Sequence, residues 1–138
     1  MPSGNNNLLK FKLSAWTDRA ESLQYKIPFD TPHDFRNVLE LEYKLGNLQL
    51  IEISNDNEFL GVLFFRIEKY QTKEFVIVAI QSKISGLDFS IEVNNFCVKL
   101  ARQINCVSIR YNTLRPALVE KGLDNGYHIS EITMRKKL

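Results

Sequence analysis

Apolar residues recur at helical spacing in some stretches of the chain and at strand spacing in others, and the order of the two lays out one α/β domain. Leu8–Leu13 alternates apolar with basic positions, the period of two that turns one face of a strand to a core. Residues 15 to about 24 read as a short helix. The next helix carries its own start signal. Thr31 can cap it, Pro32 falls at the first helical position where a missing N–H costs nothing, and Asp34 completes a capping-box-like pattern. Phe35, Val38, Leu39 and Tyr43 continue at helical spacing to Leu45, and Gly46 is the stop.

Three strands are expected next. Leu48–Ser54 leads into Asn55-Asp56-Asn57, a cluster that favours a hairpin turn. Phe59–Ile67 is apolar on both sides, the signature of a central strand covered twice. Strict alternation puts Phe59, Leu63, Phe65 and Ile67 on one face and Leu60, Val62 and Phe64 on the other. The polar stretch Lys69–Glu74 then turns the chain into a buried strand, Phe75–Ile80. Phe89, Val93, Phe96, Cys97, Leu100, Ala101 and Ile104 mark one face of the longest helix. Cys106–Arg110 reads as a strand, Leu114–Leu123 as a helix closed by Asn125-Gly126, and Tyr127–Arg135 as a last strand. A meander followed by helix, strand, helix and strand predicts a mixed, mostly antiparallel sheet with helices on both faces. The expected organisation is a loose segment over 1–7 and a single α/β domain over 8–138.

Composition leaves that picture intact. With 138 residues, 44% hydrophobic and 25% charged, the chain can bury a core without staples. Charge is uneven: residues 1–98 hold 10 Lys/Arg against 13 Asp/Glu, and residues 99–138 hold 8 against 3. A basic second portion suits an anionic ligand such as a phosphate group or a nucleic-acid backbone, or simply a solvated surface. Lys99, Arg102, Arg110, Arg115 and Lys121 lack the interleaved aromatics of a nucleic-acid surface, so nucleic acid is not an expected partner. Cys97 and Cys106 read as small apolar residues, without the spacing of metal ligands. Met1–Asn7 has no apolar core of a signal peptide, and no window reaches the ~18 apolar residues of a membrane span. A cytoplasmic protein without a membrane partner is the expectation.

The chemistry-bearing residues gather in the second half. A strand ending in Ile80-Gln81 runs into Lys83-Ile84-Ser85-Gly86-Leu87-Asp88 and then the long helix, and Gly126-Tyr127 precedes the closing segment. This order, over residues 58 to 138, resembles the GNAT superfamily of acyl-CoA N-acyltransferases. The resemblance implies acetyl-CoA as cofactor, no metal, an amine acceptor, and a phosphate-binding turn at the start of the long helix. There, free N–H groups and the helix dipole hold a pyrophosphate. Carried over, the cofactor-binding positions are Ile80, Gln81, Lys83, Ser85, Gly86 and Leu87, with Asn112 toward the pantetheine arm or as a helix cap. Asp88 stands where the family has a small residue. Ser85 to Asp88 also fits a capping box, whose carboxylate would oppose an anion, and both readings stand. The family's acid is a tyrosine on the late helix, but its two counting registers land on Val119 and Gly122. Tyr111 and Tyr127 are the nearby phenols, and Glu74, with Glu68, is the candidate base. His33 and His128 read as a solvent-facing helix residue and a strand residue. The second reading is a non-catalytic GNAT-like module that assembles as a homodimer or with another partner.

Overall fold

Asp56 and Asn57 adopt left-handed φ values of 48° and 71°, a conformation their short polar side chains tolerate. They form the two-residue turn of a β-hairpin. The structure, a computed structural model, describes residues 9–25, 38–83, 90–113 and 115–138. The hairpin joins β2 (Gln49–Asn55) to β3 (Glu58–Lys69). With β1 (Leu9–Ser14), β4 (Lys73–Ser82) and β5 (Cys106–Arg110) they make one sheet in the order β1-β2-β3-β4-β5. The first three pairings are antiparallel and β4–β5 is parallel. Helices cover both faces, as the pattern predicts. α1 (Asp18–Gln24) and α2 (Leu39–Lys44) pack with Leu50, Val62 and Phe64 on one face. α3 (Ser90–Gln103) buries Val93, Cys97 and Ala101 on the other, against Ile51, Leu63 and Phe75. The parallel crossover from β4 to β5 runs through α3, and α4 (Pro116–Asp124) follows β5.

The caps explain where the helices begin and end. α1 starts three residues later than the apolar pattern suggests, because Thr17 takes the N-cap and its Oγ1 accepts the Ala20 N–H at 3.2 Å. Gly46 at φ 81° closes α2, with its N–H on the Tyr43 carbonyl and the Asn47 N–H on that of Glu42. The predicted start of that helix, Thr31-Pro32-Asp34, lies outside the described residues, and so does His33.

Two expectations are corrected. Simple alternation misplaces Phe59 and Leu60. Ile53 pairs with Gly61 and Ser54 with Phe59, so Leu60 is an extra residue in the ladder. The bulge shifts the period by one. Phe59 therefore joins Val62 and Phe64 on the α1/α2 face, and Leu60 joins Leu63, Phe65 and Ile67 on the α3 face. The second correction concerns Tyr127–Arg135. Despite their strand-like sequence, residues 127–138 form no strand and pair with no other described residue of the sheet.

Candidate functional site

β4 outruns β5. The parallel pairing covers Lys73 to Val76 and stops at Val76 opposite Arg110. Past that point no described strand pairs with β4 on this side, while on the other side it stays paired to β3 as far as Ser82. Two further features mark the open stretch. Val78 is a bulge residue, since Phe64 pairs with Ala79 and Phe65 with Ile77. Bulges concentrate where a strand must re-aim its groups, often beside active sites. Burial also changes along the strand: Phe75 and Val76 are buried, residues 77–79 are half-buried, and Ile80 is 40% exposed. The apolar run therefore reads as a wholly buried strand in sequence but is covered only in its first half. In the remainder Ile77, Val78 and Ala79 still pack against the two cores, Ile80 is exposed, and no described strand pairs on the β5 side.

Tyr111 follows directly where β5 ends. Its hydroxyl donates to the Leu118 carbonyl at 2.5 Å, and its ring meets Tyr127 edge-on with centroids 5.3 Å apart. Tyr127 donates to Asn94 Oδ1 at 2.9 Å and so ties the end of α4 to the first turns of α3. Burial raises the pKa of Tyr111, and pushes Tyr127 to about 12 with help from neighbouring Cys97 and Tyr111. Both phenols keep their protons at neutral pH. Gly122, buried in α4, is the contact that sequence counting missed. A Cβ there would run into the Tyr111 hydroxyl. The Tyr111 phenol thus fills the space beside position 122, where counting back from Gly126 seeks a tyrosine. A glycine inside an otherwise good helix, with a tyrosine eleven residues earlier, is the only trace of this in the sequence.

The other candidates are distributed differently. Gln81 pairs with Val62, and its Nε2 donates to the Ser82 carbonyl. Lys83 is exposed at the end of β4, its N–H on the Leu60 carbonyl at 2.6 Å. Ser85, Gly86, Leu87 and Asp88 lie outside the described residues. Asn112 is exposed and does not cap α4: Arg115 holds the N-cap position, and its N–H goes to Thr113 Oγ1. Glu74 belongs to an ion-pair group instead of standing alone. Its Oε1 accepts from Arg110 and its Oε2 from Ser108 Oγ at 2.8 Å. Glu68 accepts from Arg110 at 2.9 and 3.0 Å and from Arg66 at 2.9 Å, and the Arg110 guanidinium holds its carboxyl down to about 2. His128 is exposed.

A second cluster lies on the α1/α2 face, unannounced by any motif except one acid in an apolar strand. Glu52, 8% exposed, takes a two-pronged bond from Arg19 at 2.6 and 2.9 Å and a third from Thr17 Oγ1 at 3.1 Å. The Arg19 bonds lower its pKa against the upward push of burial. Arg19 also lies over the Phe59 ring, 4.4 Å from its centroid. The cluster fastens α1 to β2. Among the described residues no group of His, Cys, Asp and Glu could hold a metal ion.

No family model matches the sequence, and no curated protein does. Solved structures do. A putative acetyl transferase from Pyrococcus furiosus superposes with a TM-score of 0.71 at 14% identity, over 94% of this chain and 99% of that one. A predicted acetyltransferase from Clostridium acetobutylicum, solved with acetyl-CoA, gives 0.67 at 10% identity over 94% and 96%. The chain has the GNAT fold. A transcriptional regulator from Bacillus halodurans gives 0.69 at 15% identity over 94% and 99%, so the fold also carries a protein described by another role. Within this GNAT fold the Tyr111–Tyr127 pair stands beside the first turns of α3, through the Tyr127–Asn94 bond. Among the described residues no helix is long and apolar enough to cross a membrane.

Proposed function

We propose that the chain is an N-acyltransferase that binds acetyl-CoA along the open edge of β4 and passes the acetyl group to an amine. The observation that carries this reading is the ending of β4–β5 pairing at Val76. It leaves a bulged, half-covered stretch of β4 that no described strand pairs on this side. An extended, amide-bearing pantetheine arm suits such an edge, because main-chain hydrogen bonds give affinity there and side chains give fit. Acetyl-CoA bound there supplies a thioester open to attack by an amine.

The chain's own residues take these roles. Ile80 and Gln81 flank the arm. Lys83, Ser85, Gly86 and Leu87 receive the phosphates at the start of α3, and Asn112 borders the arm from the far side. Tyr111, protonated at neutral pH, is the proton donor for the leaving sulfur, its hydroxyl exchanging the Leu118 carbonyl for that sulfur. Tyr127, fixed on Asn94, holds the Tyr111 ring. Glu74 is already engaged by Arg110 and Ser108, so it steadies the β4–β5 junction while water carries away the amine proton. Positioning of the two reactants supplies much of the rate in such a transfer.

Acetyl-CoA at a hundredfold excess over its Kd is expected to stabilise the fold by about 2.7 kcal/mol. The check is a thermal-shift titration, in which Tm climbs by several degrees and levels off. A flat Tm at millimolar acetyl-CoA removes this reading. It would favour a non-catalytic assembly module, which the absence of a tyrosine at both position 119 and position 122 also suits.

A further inference from the structure

The cleft beside the Arg19–Glu52 pair holds more positive charge than its one carboxylate can answer. It is a hollow of about 230 Å³ lined by Lys12, Arg19, Glu52, Ser54, Asn57 and Phe59, where β1, β2 and the start of β3 meet α1. Glu52 is already committed within it: both its oxygens accept from Arg19, and Oε2 accepts from Thr17 as well. Arg19 and Glu52 therefore cancel, and Lys12 adds a charge of its own. Lys12 stands opposite Glu52 in the β1–β2 register, is exposed, and enters no ion pair among the described residues. The balance favours an anion.

The donors identify which anion. Arg19 uses Nε and Nη2 on Glu52, and its guanidinium lies over the Phe59 ring, 4.4 Å from the centroid. The nitrogen outside that pair, Nη1, thus belongs to a group already fixed on two sides, and a fixed donor loses little freedom on engaging a ligand. Ser54, two residues along β2 from Glu52, and Asn57 in the hairpin turn bring a hydroxyl and an amide to the same cleft. A planar carboxylate binds best across an open guanidinium fork, which Glu52 occupies here. A tetrahedral phosphate accepts single bonds from several directions and suits donors spread over β1, β2, the turn and α1. The cleft has the volume of several waters at ~30 Å³ each, so it takes a phosphate together with a short organic part.

We propose that this cleft binds a small phosphate monoester, with Lys12 and Arg19 as its charged donors and Ser54 and Asn57 as its neutral ones. The ligand would bridge β1, β2 and α1, the last two being the elements that Glu52 and Arg19 already join. The site is separate from the one proposed for acetyl-CoA. It lies on β1, β2 and the start of β3, whereas the unpaired side of β4 is the side away from β3. The inference is independent of acyl transfer and holds whether or not the chain binds acetyl-CoA.

Amide NMR on the full chain, titrated at constant ionic strength with inorganic phosphate and with glycerol 3-phosphate, reads the site. Both are expected to give saturating shifts at Lys12, Arg19, Ser54, Asn57 and Phe59, with the ester at least as tight. Lys12→Ala is expected to weaken binding about tenfold, the worth of a charge-assisted hydrogen bond, and Ser54→Ala to weaken it less. Lys12 is exposed and makes none of the bonds to Glu52, so the ligand-free variant should melt close to the unaltered protein. Repeating the titration with acetyl-CoA present should leave the cleft shifts as they were. Shifts that never saturate, or an affinity unchanged by both substitutions, overturn the proposal and leave an adventitious ion only. So does binding of inorganic phosphate with none of the ester. Shifts centred on residues 80–83 and abolished by acetyl-CoA also overturn it, because the phosphate would then occupy the cofactor's path.

Discussion

Gly122→Ala is expected to destabilise the protein by about 1–3 kcal/mol, although the same change in an exposed helix stabilises by about 1 kcal/mol. The sign reverses because the new methyl meets the Tyr111 hydroxyl. That phenol cannot retreat freely, being bonded to Leu118 and flanked by Tyr127. Either the bond to the Leu118 carbonyl breaks or α4 moves away from β5. Removing the hydroxyl alone tests the cause. With Tyr111→Phe in place, the nearest remaining ring atom is 3.3 Å from the added carbon, so the alanine should become neutral or stabilising. Urea denaturation of the four proteins in the cycle reads the coupling directly. An equal loss with and without the Tyr111 hydroxyl would show that the two sites do not touch. On the proposed acyltransferase reading, both single variants should also lose activity in an acetylation assay, Tyr111→Phe through the missing proton and Gly122→Ala through its displacement.

Arg110→Met is expected to cost about 2 kcal/mol at neutral pH, because one guanidinium serves two paired carboxylates that would then face each other with only Arg66 left as a counter-charge, on Glu68. The figure sits below that of a fully buried pair because Arg110 is 27% exposed. Its pH dependence has a definite sign. Glu68 has its carboxyl pulled from 4.5 to about 2 in the folded protein, first by the Arg110 bonds and then by Arg66. A depressed folded pKa contributes stability above the unfolded value and loses it as pH falls through the folded one. Wild-type Tm should therefore drop between about pH 4.5 and pH 2 as this contribution disappears. In Arg110→Met much of that drop should vanish, so the two proteins converge in acid. Calorimetry across this range is the check, and parallel curves would contradict the assignment.

Most of the architecture could be read from local patterns because each rests on local physics. Gly46 and the Asn55-Asp56-Asn57 turn need left-handed backbone, and the α3 stripe needs one buried face; all three appear where expected. The misassigned faces of Phe59 and Leu60 show the limit. A bulge is a property of two strands, and a count along one strand cannot register it. The last strand failed for a related reason. Residues 127–135 have strand propensity, but propensity alone makes no ladder, and they pair with no described strand. At the site, spacing led to Gly122 and stopped there. The phenol comes from the end of β5 and reaches position 122 only through the packing of α4. Glu74 was legible as a carboxylate near the central strands but not as the partner of Arg110, which lies 36 residues away. Glu52 and Arg19 left a similar weak trace, an acid in an apolar alternation.

Amide hydrogen exchange along β4, with and without acetyl-CoA, puts the open strand edge to its most direct trial. The account predicts that peptides spanning 77–82 gain protection on adding acetyl-CoA while those of β1 and β2 stay as they were. Unchanged exchange in 77–82 at saturating acetyl-CoA, or protection confined to another part of the sheet, would contradict it.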